Sequence, residues 1–374
     1  MLRRFTSRPE WQISLVFTVA FRFFYSAAAA ASVPLLSPDP TRIRSNALTE
    51  NLPAPHGLHY AFLGVWERFD TLWYLRIAEH GYDLPMAAIF YPLYPAAIRV
   101  VSGIMPAIAA ALLISTVAAF FSFWGLVKLG KGALSDTGRF RMLCILCAWP
   151  TSFILFAGYA DSLTLALIIW AVVLGRAARW EAATLCGLLA GIARPSGVLI
   201  VIPLAVMALR SQKPRSLAVA LTPLGLMGYW GWLRWSGRPS VVEAYRRYQG
   251  MVMVPPNRSL GEILSLIVYG HDTLLAIKLG LVIIVAIVSL RRDVAGLRIE
   301  DRAFALALIL QMLMYSGRPL LGAARYLLLV YPAFLASGVY AERWNRKRFG
   351  VCFAALFVLN LAWMWAFLNW SLVL

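Results

Sequence analysis

Charge is what this 374-residue chain has least of: Asp, Glu, Lys and Arg make up only 14% of it, and 61% is apolar. Soluble domains carry about a quarter charged residues. Together with a mean hydropathy of +0.71, the shortage excludes an ordinary water-soluble globule and marks an integral membrane protein. Acid is scarcer than base, 17 residues against 35, for a formal net charge of +18. In a soluble chain that excess would suggest nucleic acid. Here the bases fall in short clusters between apolar runs without a basic-aromatic recognition motif, so a nucleic-acid partner is set aside.

Cysteine and histidine are equally sparse, four of each. Cys144, Cys147, Cys186 and Cys352 all lie inside apolar runs, and the pair in CILC (144 to 147) has no polar ligands beside it, which reads as packing and not redox or metal chemistry. The chain lacks G-x-x-x-x-G-K-[ST], a dinucleotide glycine fingerprint and HExxH, so nucleotide hydrolysis and zinc-protease chemistry have no support. It also lacks a repeat of short period. No cofactor is assigned, a divalent cation being left open.

What the chain has is eleven apolar runs: 11–33, 106–128, 141–158, 160–177, 182–194, 196–210, 217–235, 272–290, 303–317, 326–341 and 350–372. They predict an all-α, polytopic membrane protein of about 11 transmembrane helices in a single domain, 1–374. Arg3, Arg4 and Arg8 precede the first run and put the N-terminus in the cytoplasm; the run is longer than a signal-peptide core, so an uncleaved anchor is expected. The clusters Lys128/Lys131/Arg139/Arg141, Arg176/Arg179, Arg210/Lys213/Arg215, Arg291/Arg292/Arg298/Arg302 and Arg343/Arg346/Lys347/Arg348 then all fall on the cytoplasmic side. That count needs residues 182–210 to be two short helices meeting at Arg194-Pro195, proline being a natural break. It also needs 90–104 to be a juxtamembrane helix, since Pro92, Pro95 and Arg99 make a poor span.

This topology gathers the polar stretches at one face. The first extracytoplasmic loop, 37–105, carries juxtamembrane helices and Asp70. YADS (159–162), ARPS (193–196) and GRPLLGAARY (317–326) join it, as does a second large loop, 236–260, with Arg238, Arg246, Arg247 and Arg258. Ionisable residues at membrane depth are costly and default to a functional reading.

Residues 66–82, WERFDTLWYLRIAEHGY, read as an amphipathic helix at the interface, with Asp70 set between Phe69 and an apolar run. Glu67, Arg68, Arg76 and Glu79 read as its solvated face and His80 as structural. Asp161 opens an apolar helix and either caps it or functions in the site. Of Arg318 and Arg325, one could be an ordinary interfacial anchor. A carboxylate beside several arginines at an outer membrane face suits a lipid-linked phosphosugar: guanidinium groups hold phosphate bidentately and stabilise it as a leaving group, and a carboxylate accepts a proton from an attacking hydroxyl. The expected catalytic base is Asp70, with Asp161 as second acid; Arg194, Arg325, Arg246 and Arg247 are the expected phosphate ligands, with Tyr159 and Tyr326 in the substrate set.

The ordered segments from Trp66 to Pro332 resemble those of the PIG-V-type mannosyltransferases of the GT-C superfamily. The first-loop stretch 66–82, AIFYPLYP (88–95), PTSFILFAGYADSLTLAL (150–167), GIARPSGVLI (191–200) and GAARYLLLVYP (322–332) are similar to family segments in the same order. The resemblance implies inverting transfer of a hexose, typically mannose, from a polyprenyl-phosphate sugar to a lipid or glycan acceptor, with the loop aspartate, Asp70, as catalyst. A compact chain of this composition fits a bacterial homologue in the inner (plasma) membrane, and the topology above makes the site extracytoplasmic. Phe69 precedes this aspartate where the family usually has tryptophan, and Asp161 stands where it commonly has glutamate. The rivals are a secondary transporter or lipid-linked-sugar flippase, whose charges would sit mid-membrane on broken helices, and an accessory binding subunit.

Overall fold

The computed structural model describes residues 9–44, 48, 56–211, 213–294 and 296–371; Arg3, Arg4, Arg8 and part of the first loop lie outside these. The chain begins with α1 (Glu10–Ser32), followed by the first-loop helices α2 (Pro40–Arg44), α3 (Gly57–Phe62), α4 (Asp70–His80) and α5 (Leu93–Val101). Then come α6 (Ala107–Leu129), α7 (Asp136–Ala148), α8 (Asp161–Arg176), α9 (Trp180–Ala193), α10 (Val201–Ser211) and α11 (Leu224–Trp235). The second loop holds α12 (Val241–Ala244), β1 (Val252–Met253) and α13 (Pro256–Val268). The remainder is α14 (Thr273–Leu290), α15 (Ile299–Met312), β2 (Tyr315–Ser316), α16 (Ala323–Tyr326), α17 (Tyr331–Glu342) and α18 (Arg346–Leu368).

Each of the eleven apolar runs contains helix among its described residues, in the expected order. By length and composition, though, among the described residues only α1, α6, α14 and α18 can cross a membrane alone, with a fifth crossing if Ala323–Leu329 and Tyr331–Glu342, bent by 77°, count as one. The 23 residues of α6 rise about 35 Å, enough for a hydrocarbon core of roughly 30 Å. The 16 residues of α8 rise only about 24 Å. Such short helices are tolerated where their broken ends are enclosed by protein, and the breaks after α7, before α8 and after α9 are all buried. Polar side chains satisfy the first of these. Tyr25 Oη of α1 donates to Cys147 O (2.8 Å), and Asn360 Nδ2 of α18 donates to Trp149 O (2.6 Å).

Two features differ from the expectation. The all-α reading misses a two-residue antiparallel ladder, Val252 opposite Ser316 and Met253 opposite Tyr315. It also misses α13, which is amphipathic, burying Ser259 and Ile263 while exposing Leu264 and Val268, and so never appears as an apolar run. Both join the second loop to the 315–326 segment: Ser259 Oγ donates to Tyr315 O (2.7 Å) and Glu262 Oε1 accepts from Gly317 N (3.0 Å).

The Arg194-Pro195 break is a close crossing of backbones. α9 ends at Ala193, Arg194 is extended (φ −157°, ψ 152°), and a 3₁₀ turn, Pro195–Ile200, leads into α10. A Cβ on Gly197 would meet the Ala190 carbonyl oxygen at 2.0 Å. Backbone cannot yield as a side chain can, so Gly197→Ala is expected to destabilise the protein by about 1–3 kcal/mol and lower its unfolding temperature in detergent; an unchanged temperature would show that the break accommodates a methyl group.

Candidate active site

Four charged side chains from four segments form one row. Asp70 is the first residue of α4, where the helix N-terminus favours a carboxylate. Its Oδ2 accepts from Arg325 Nη1 at 2.6 Å. Arg325 Nε lies 3.6 Å from Asp161 Oδ1, and Asp161 Oδ2 accepts from Arg194 Nη1 at 2.5 Å. The Asp161 side chain is fully enclosed and that of Arg194 is 7% exposed, whereas that of Asp70 is 27% exposed. The row therefore runs from a buried end to an accessible one. Tyr326 lies beneath both guanidinium groups, 4.7 Å from Arg194 and 5.4 Å from Arg325, and Tyr159 lies 5.1 Å from Arg325.

The capping alternative for Asp161 does not hold. Ala160 is the N-cap of α8 and no side chain caps that helix, because the Asp161 carboxylate is bound by arginines instead. Arg194 gets its reach from the extended conformation that a following proline favours. Arg325 sits in α16, entered through a turn with Leu320 at φ 54° and Gly322 at φ 73°. The neighbouring Ala324 carbonyl accepts from Trp149 Nε1 (3.0 Å) and Thr151 Oγ1 (2.9 Å). Those two donors bring the break after α7 to bear on where Arg325 points.

Asp70, Arg325 and Arg194 form part of the wall of a cavity of about 820 Å³, lined also by Tyr159, Tyr326, Arg318 and Arg42, with Asp161 enclosed behind it. Arg246 and Arg247 are exposed on the turn after α12 and do not line it; their neighbours Tyr245 and Tyr248 do. Within the wall, Tyr159 Oη, Ser196 Oγ and Arg325 Nε are buried without hydrogen-bond partners among the described residues. Sequence reading brought ARPS and the 236–260 loop to this face without naming Ser196 or Tyr245 as lining residues, and missed Tyr315, since a single hydroxyl carries no signal of what it faces. No group of three or more His, Cys, Asp and Glu side chains comes together among the described residues.

The solvated-face reading of 66–82 is corrected for Arg68, which is 2% exposed. It turns inward because Tyr60 Oη (2.6 Å), Glu67 O (3.0 Å) and Leu368 O (3.2 Å) all accept from it. Arg76 pairs with Asp83 at 2.6 Å, both about a third exposed, and Glu79 remains in solvent. Glu67 is half-buried, and desolvation pushes its carboxyl up to about 7, with Arg68 opposing.

Two outcomes follow from these charges. Removing one member of a buried pair strands the other, at about 3–5 kcal/mol. Arg194→Leu should therefore destabilise strongly, and adding Asp161→Leu should restore much of the loss, as read by unfolding in detergent; additive losses would deny the coupling. Glu67 binds its proton more tightly folded than unfolded, so its contribution to stability is full below about 4.5, declines as pH rises, and is gone above about 7. Glu67→Gln should gain thermal stability relative to wild type across that window, and a pH-independent difference would contradict the assignment.

No protein-family model matches the chain, and comparison with curated proteins finds no match. Among solved structures, the chain is similar to the crystal structure of ArnT from Cupriavidus metallidurans bound to undecaprenyl phosphate. The TM-score is 0.53 at 11% sequence identity, over 95% of this chain and 76% of that one. The likeness is one of fold, and with the apolar helices it describes a polytopic, mostly helical integral membrane protein.

Proposed function

We propose that the chain is a GT-C-type membrane glycosyltransferase that moves a hexose, mannose in the first instance, from a polyprenyl-phosphate carrier to an acceptor hydroxyl. The observation that carries the reading is the accessible end of the ionic row: a carboxylate, Asp70, opening on a large cavity and backed by an arginine. That the similarly folded ArnT was crystallised with undecaprenyl phosphate favours a lipid phosphate as the carrier.

In this reading Asp70 Oδ2 stays on Arg325 and Oδ1, which takes no hydrogen bond from the described residues, accepts the proton of the acceptor hydroxyl. The acceptor oxygen bonds to the anomeric carbon from the face opposite the phosphate, the bond from that carbon to the phosphate oxygen breaks, and polyprenyl phosphate leaves with the electron pair. The anomeric centre is thereby inverted. Arg194 and Arg325 stand in the wall where that charge develops, but with Asp70 and Asp161 they make a neutral set. An added phosphate is balanced by Arg318, which lines the same cavity; Arg246 and Arg247 are kept for the approach of the headgroup. The face is assigned to the extracytoplasmic side because α8 carries Asp161 at one end and the basic Arg176 at the other, about 24 Å apart.

Purified protein incubated in detergent with a panel of polyprenyl-phosphate hexoses should release polyprenyl phosphate slowly without acceptor and faster with one. Asp70→Asn keeps the shape and removes the base, and should turn over at least about a hundredfold more slowly. Near-normal turnover by that variant at saturating donor and acceptor would sink Asp70 as the base and move the role to Asp161.

A further inference from the structure

Phe69, immediately before Asp70, holds φ 48° and ψ −117°, a conformation that costs a non-glycine residue of order 1–3 kcal/mol and persists only where its surroundings over-determine it. What over-determines it comes from the other end of the chain. The Phe69 ring packs on Trp370 at 5.3 Å and on Phe367 at 5.6 Å. Trp370 is itself at φ 63°, just past the end of α18, and the Phe69 and Trp370 side chains line the cavity.

Arg68 ties the two segments together. It is buried, yet no carboxylate pairs with it among the described residues. Its Nε donates to Leu368 O at the C-terminal end of α18, Nη2 donates to Tyr60 Oη, and the guanidinium lies 4.8 Å from the Trp370 ring. A buried cation without a carboxylate in contact is expensive. Here the partial negative charge of the α18 C-terminus and the face of an indole stand in for one. A bolt of this kind is not needed to cross the membrane. Its effect is to fix the backbone from which Asp70 departs.

We propose that Arg68 and Trp370 are positioning residues, a clamp from the C-terminal helix that aims the Asp70 carboxylate into the cavity. The inference rests on the proposed role of Asp70. A misplacement of about 1 Å in a reacting group can cost roughly a hundredfold in rate, so loosening the clamp should be felt in kcat before anything else.

The test is a set of variants in the detergent assay with a polyprenyl-phosphate hexose donor: Arg68→Lys, Trp370→Leu, Asp70→Asn and the double variants. Arg68→Lys keeps the charge but cannot reach all its acceptors together, and should lower kcat by about tenfold or more with donor KM changed less than about twofold. Trp370→Leu should do the same if Arg68→Lys fails to fold. In the Asp70→Asn background neither should slow the reaction further, because a residue that acts through Asp70 has nothing left to position. Wild-type kcat in both clamp variants, or an equal loss in both backgrounds, would overturn the clamp while leaving Asp70 in place. An Asp70→Asn variant as fast as wild type would instead overturn the reading of the site, and the clamp with it.

Discussion

Two carboxylates and two guanidinium groups in alternating order, Asp70, Arg325, Asp161 and Arg194, set the terms for everything around them. None could be buried alone in a chain this apolar. Their order makes each one's partner the next one's neighbour, so the row can be sunk into the protein as a unit and still present one carboxylate at a cavity. Four segments must meet for this: the start of α4, the start of α8, the break after α9, and α16. The interruptions that make α8 and α9 too short to cross a membrane alone are the same ones that deliver Asp161 and Arg194. The short helices are thus a condition of the site.

A second ionic layer at the far end of α8 has a different character. Arg176 pairs with the buried Asp301 at 2.5 Å, Tyr331 donates to the same carboxylate, and Asp301 also accepts from the backbone N–H of Arg298. Here both oxygens of the Asp301 carboxylate are matched, one by Tyr331 and the other by Arg176 and the Arg298 N–H. The contrast separates a lock from a site. Both layers bury carboxylates against arginine; the one proposed as the site adds orphaned hydroxyls and a partly exposed carboxylate on a cavity.

The first loop joins local sequence to the global fold. An amphipathic segment would by itself lie on the interface with its charges in water. Arg68 turns inward because the Tyr60 hydroxyl and the Glu67 carbonyl nearby and the Leu368 carbonyl from the far end of the chain are in place to receive it, and with it comes the strained peptide that launches Asp70. The Ala324 carbonyl, held by Trp149 and Thr151, does the corresponding service for Arg325. In the proposed transfer both partners of the first ion pair are therefore aimed by segments remote in sequence.

Composition, the apolar runs and their proline breaks determined that the chain is a helical membrane protein, where its helices lie, and that YADS, ARPS and GAARY interrupt them with charges that demand an explanation. Those signals are local: hydropathy, a proline's restriction of its neighbour and the cost of a charge in oil act over a few residues. The amphipathic α13 and the small β ladder escaped because their apolar faces average out along the chain. Which arginine meets which acid, that Asp161 is a partner and not a cap, that Arg68 is buried while Arg246 and Arg247 are not, and that Trp370 stands against Phe69 were decided only by the tertiary structure. Those pairings join positions up to 301 residues apart, and in an interior that penalises every unmatched charge the partner is chosen by which groups packing brings within reach.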